Sequence, residues 1–156
     1  MHRGKAANNG RETPGVSPPT GECRHVRRQI LAFLAGLVTW ILVASIINRL
    51  LRAGMPGYAA AEPALTFTLL MKWSRLAFAA LASLSAGYVV ARLAPGARRL
   101  PLILGALVLA LFLPVHYDLW DKLPVWYHLV FLISIVPLFW AGAVLAGTSR
   151  ASDRAQ

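Results

Sequence analysis

Four side chains of metal-ligand type fall within one short stretch, PVHYDLWDKLPVWYH, from Pro114 to His128: His116, Asp118, Asp121 and His128. Histidine and aspartate bind zinc, and neutral imidazole also binds haem iron. If the apolar runs on either side form a hairpin, His116 and His128 meet near one membrane surface, as an axial pair on a haem would. The spacing matches no standard metal motif, and His116 and Asp118, two apart, point to different faces of a helix. An interfacial turn accounts for more of the residues. Tyr117, Trp120, Trp126 and Tyr127 then form an aromatic belt at the headgroup level, and Asp118, Asp121 and Lys122 solvate the bend between Pro114 and Pro124. Asp121 is a candidate cap for the next helix, and the two acids are candidate partners for Arg49, Arg52, Lys72 or Arg75. His128 lies about one turn inside the last span, where an imidazole needs a partner. A neighbouring helix supplies it more readily than an ion. His116 and His128 are thus the candidate cofactor-binding positions, and no cofactor is assigned to them.

A second pattern suits packing rather than chemistry. Ala79, Ser83, Gly87 and Ala91 recur every four residues, which places them on one helix face where another backbone can approach closely. The last span repeats this more weakly with Gly142 and Ala146, and with Ala143 and Gly147. Such a face serves packing within the chain, self-association or a partner membrane protein.

Absences narrow the function. No Asp or Glu lies inside an apolar run, whereas proton-coupled transporters generally keep an ionisable group at mid-membrane. Small four-helix multidrug exporters use a glutamate inside their first helix; here the first span offers only Thr39, Trp40, Ser45 and Asn48. Asn48, near the end of that span, is suited to hydrogen-bonding another helix. No phosphate loop, CxxC pair, HExxH or GxSxG is present. Ser83 and Ser85 have no histidine near them in sequence to activate them. The expected class is non-enzymatic, with Lys72 and Arg75 left as the charges that would attract an anion in an oligomeric transporter or channel.

The elements that position these residues are long and apolar. Only 14% of the 156 residues are charged, against about a quarter in soluble domains, and the mean hydropathy is +0.56. Apolar runs near 20 residues match the roughly 30 Å hydrocarbon core of a bilayer. An all-α integral membrane four-helix bundle is expected, its spans at about 30–51, 73–91, 100–115 and 124–147. Lys72 and Arg75 interrupt the second run. Starting its embedded part at Trp73 leaves both charges at the boundary, where long side chains snorkel to water, and makes Leu65 to Met71 a helical extension. Pro95-Gly96-Ala97-Arg98-Arg99 reads as a tight basic turn, and Pro137 as a kink in the last span. Residues 1–28 read as a disordered basic tail and 148–156 as a short polar one. The first span follows a long leading region, with no small-residue cleavage site close behind it, and is expected to be retained rather than removed as a signal peptide. Cys23 is alone and incidental.

A four-span threading puts Arg3, Lys5, Arg11, Arg24, Arg27, Arg28, Arg92, Arg98, Arg99, Arg150 and Arg154 on one side. The other side holds Arg49, Arg52, Lys72, Arg75 and Lys122, so both termini are expected in the cytoplasm. The net charge of +10 then reflects topology, and nucleic acid is not an expected partner. GYVVAR (Gly87 to Arg92) and PVHYDLWDKLPVWYHLVFL (Pro114 to Leu132) resemble pieces of small four-span proteins of bacterial inner membranes. The likeness covers spans 2 to 4 and implies a four-helix membrane fold, with no activity or residue role to carry over. The resulting expectation is a structural or accessory protein of the bacterial inner membrane, in contact with the lipid bilayer. It would associate with other membrane helices through the small-residue face of span 2. A haem or metal protein using His116 and His128 is the alternative.

Overall fold

The structure, a computed structural model, describes residues 20–153. Among them are five helices and no strand: α1 (Thr20–Gly54), α2 (Tyr58–Ala61), α3 (Leu69–Leu93), α4 (Leu100–Asp118) and α5 (Val125–Asp153). All but the four-residue α2 are long and apolar enough to cross a membrane. The chain is an all-α, multi-pass membrane protein.

Within the bundle α3 lies between α1 and α5, its two most extensive neighbours, while α4 packs chiefly on α5 and more lightly on α3 and α1. Glycine sets the closest approach. A Cβ on Gly87 would sit 2.8 Å from the Phe139 carbonyl carbon, and one on Gly142 would sit 2.9 Å from that of Leu84. The two backbones therefore touch where α3 crosses α5, and the crossing is reciprocal. Around it lie the fully buried Val90, Leu104, Val108 and Phe139. Lipid chains are as apolar as leucine, so close packing of this kind, rather than hydrophobic burial, holds membrane helices together.

Several boundaries differ from those expected. Residues 1–19 and 154–156 of the two tails lie outside the described residues, but Thr20 to Arg28, assigned to the disordered tail, are the first turns of α1. That helix is 35 residues long, about 52 Å at 1.5 Å per residue, well beyond the hydrocarbon thickness. At the other terminus, Thr148 to Asp153 continue α5. Leu65 to Thr68 are not helical. Here α2 closes in a Schellman arrangement, with Leu65 N–H donating to the Glu62 carbonyl and Thr66 N–H to that of Ala61. Leu65 takes the left-handed φ of 56° that glycine usually supplies, its side chain packed against the core. α3 then starts at Thr68, whose hydroxyl accepts from Met71 N–H at 3.3 Å.

α4 runs through Pro114 to Asp118, so only 119–124 form the connection to α5. Proline there forfeits one hydrogen bond within the last turns, which does not end the helix. Between α3 and α4, Ala97 N–H donates to the Ala94 carbonyl across Pro95 and Gly96. Gly96 has φ 92°, the pattern of a type II turn. One end of the bundle thus carries 55–68 and 119–124. The other carries the Pro95–Gly96 turn and both termini.

Candidate functional site

The structure brings polar groups of four elements together beneath the 55–68 connection. Arg75 is the seventh residue of α3, about 9 Å along the helix from its start. It was expected at the boundary, reaching out to water. Instead it is half-buried and turned into the bundle, because acceptors meet it there. Its Nη1 donates to Tyr58 Oη at 2.6 Å and its Nε to Tyr127 Oη at 3.3 Å. The guanidinium carbon also lies 4.8 Å from the centre of the Phe67 ring. Tyr58, fully buried on α2, is 3.4 Å from Asn48 Oδ1 of α1, to which its hydroxyl donates. Asn48 thus has an interhelical partner, as its place in the first span suggested.

Arg75, Tyr58, Tyr127 and Asn48 line a cavity of about 230 Å³ with Trp40, Phe78, Phe112 and Phe131. A guanidinium has five N–H groups, and two of Arg75's are used. Three have no acceptor among the described residues, and both acceptors that Arg75 does have are neutral phenols. Glu62 also lines the cavity, but it is held in an ion pair with Arg52 at 2.5 Å. The chemistry on offer is a half-buried cation with free donors in an aromatic and aliphatic surround, which is a seat for an anion.

His116 and His128 do meet. His116 is 6% exposed and His128 0%, and their Nδ1 atoms are 2.7 Å apart. One Nδ1–H donates to the other's lone pair, so the two rings hold opposite tautomers. His116 stacks on Phe131 with centroids 4.6 Å apart, and His128 on Trp120 at 4.9 Å. The pair does not fit the haem or metal reading. Imidazole–zinc bonds are about 2.0–2.1 Å, so two nitrogens on one tetrahedral ion stand more than about 3 Å apart. A porphyrin between rings whose centroids are 4.9 Å apart would also have to force them open. Asp118 and Asp121 are exposed and do not converge on the pair. No group of three or more metal-ligating side chains occurs among the described residues. The His–His bond instead ties α4 to the first turn of α5, next to Tyr127. His128 Nε2 remains buried with no partner.

The aromatic belt divides. Tyr117 is 82% exposed and Trp120 is exposed, while Trp126 stacks on Trp73. Tyr127, expected in the belt, is 6% exposed and belongs to the Arg75 cluster. The small-residue row is used within the chain. Gly87 meets Phe139, Ala79 lines the cavity and Ala91 is half-buried. Ser83 is buried; it accepts from Trp40 Nε1 at 3.3 Å and donates to the Ala79 carbonyl at 2.9 Å. Tyr58, Phe67 and Tyr127 are the site residues that sequence reasoning missed as such. The one available signal was Arg75 itself, a charge inside an apolar run.

No protein family matches the chain, and no curated protein or solved structure is similar to it.

Proposed function

We propose that this chain is a non-enzymatic, multi-pass protein of the bacterial inner membrane that binds an organic anion in the Arg75 cavity. The observation that carries the reading is Arg75 turned inward between Tyr58 and Tyr127, with three unused donors beside an apolar cavity. A charge inside a membrane helix is costly and marks a ligand path by default. The ligand that fits is a carboxylate or phosphate on a small apolar body: the head meets Arg75 and the body lies among Trp40, Phe78, Phe112 and Phe131. The lining supplies one carboxylate base, Glu62, which Arg52 already engages, so the site favours binding over bond chemistry. The arginines at the two ends support cytoplasmic termini, which place the cavity on the outer side. Association with other membrane helices would need a face other than the small-residue row of α3, which is filled within the chain.

The test uses benzoate and benzyl alcohol as probes on protein reconstituted in lipid nanodiscs. Benzoate should raise the melting temperature and perturb Trp40 fluorescence, while benzyl alcohol, its neutral counterpart, should do neither. Arg75→Gln should abolish the benzoate response. Ala79→Leu, which fills the cavity but keeps the charge, should weaken it. Equal responses to the two probes, or an unchanged response in both variants, would remove the reading.

A further inference from the structure

A second cavity lies at the opposite end of the bundle, away from Arg75. It has a volume of about 360 Å³ and runs between the end of α3, the start of α4 and one face of α5. Its α5 wall is Trp140, Ala143, Val144 and Gly147, positions that share a helix face over two turns, about 10 Å. The opposing wall is made of small residues, Ala91, Ala94 and Ala97, and a Cβ on Gly147 would meet nothing within 4 Å. The slot is thus mainly apolar, with the half-exposed Trp140 at its end nearer the middle of α5.

Charge gathers only at its mouth. Arg98 lines the cavity, and the exposed Arg99 follows it at the N-cap of α4, where no side chain caps the helix. The first turn of α4 adds the positive end of a helix dipole. The three acids whose side chains the structure describes, Glu62, Asp118 and Asp121, all belong to the other end of the bundle. Arg98 itself makes no ion pair among the described residues.

We infer that this slot seats an anionic phospholipid of the surrounding bilayer, its phosphate at Arg98 and one acyl chain along the α5 wall to Trp140. Positive charge at one end of an apolar groove about 10 Å long matches a lipid headgroup and the adjoining part of its acyl chain, and a neutral headgroup leaves Arg98 unanswered. The site is independent of the Arg75 cavity.

The experiment reads lipid retention by native mass spectrometry after exchange into mixed micelles of phosphatidylglycerol and phosphatidylcholine. The parent should keep phosphatidylglycerol over phosphatidylcholine by about fivefold or more, the scale of one basic side chain near an anionic surface. Arg98→Gln should lower that preference, and Gly147→Leu, which blocks the slot, should reduce retention of both lipids. Arg49→Gln, at the far end, should leave both unchanged. Melting temperatures confirm that the variants are folded. No headgroup preference in the parent would overturn the inference, as would a preference that survives both Arg98→Gln and Gly147→Leu. The latter result would assign the effect to the general positive charge of this end.

Discussion

Replacing Gly87 with alanine tests the packing on which both cavities depend. The new methyl would lie 2.8 Å from the Phe139 carbonyl carbon and closer still to its oxygen, whereas carbon atoms pack at about 3.5–4.0 Å. Neither partner is a flexible side chain that can rotate away, so α3 and α5 must part by about 1 Å. A gap of that size forfeits about a quarter to a half of each pair's dispersion attraction, and in a bilayer no hydrophobic term replaces it. The expected loss is about 3 kcal/mol, the upper part of the range for overpacking. Gly142→Ala should cost a similar amount, because its Cβ would meet the Leu84 carbonyl carbon at 2.9 Å. The two sites share one crossing, so the double variant should lose clearly less than the sum of the two. Gly147→Ala is the control: it meets nothing, and alanine should be neutral or stabilise by up to about 1 kcal/mol. Reversible unfolding in mixed detergent micelles, followed by far-ultraviolet circular dichroism, gives these values. Strict additivity of Gly87→Ala and Gly142→Ala, or a Gly87→Ala variant as stable as the parent, would refute the close crossing.

The histidine pair makes a different prediction. Replacing only His116 or only His128 with phenylalanine leaves a buried imidazole without its hydrogen bond and should cost about 1–3 kcal/mol. Replacing both should cost less than either alone, and a double variant weaker than both singles would show that the pair contributes more than mutual satisfaction. Because the two Nδ1 atoms bond directly, the purified parent should show no haem absorption band, and a stoichiometric band would mean that the rings open. Ser83→Ala removes the acceptor of Trp40 Nε1 and should cost about 1 kcal/mol. The cost should shrink in a Trp40→Phe background, and an equal cost there would place the serine's effect in its bond to the Ala79 carbonyl alone.

How these helices are spaced along the chain was legible in the residues themselves. Apolar runs of bilayer length between basic and proline–glycine breaks leave little choice, since a chain in lipid must satisfy its backbone internally and does so as helix. Gly96 marked its turn because few other residues adopt its φ. The ends of helices were less legible: Pro114 read as a stop, yet costs only one hydrogen bond near a terminus, and Leu65 carries a left-handed conformation that its side chain does not announce. What the tertiary structure alone decided is which way each polar residue faces. Arg75 and Tyr127 sit near helix ends, where an outward rotation gives snorkelling and a belt, and an inward one gives a binding site. The rotation of α3 and α5 about their axes makes that choice, and it follows from the reciprocal contact of Gly87 and Gly142 with the opposite backbones. Tyr127, 52 residues after Arg75, meets the guanidinium only once that crossing is made, while α2 carries Tyr58, 17 residues before it, to the same group. Local sequence sets the period of a helix, but its orientation toward its neighbours is a property of the packed bundle.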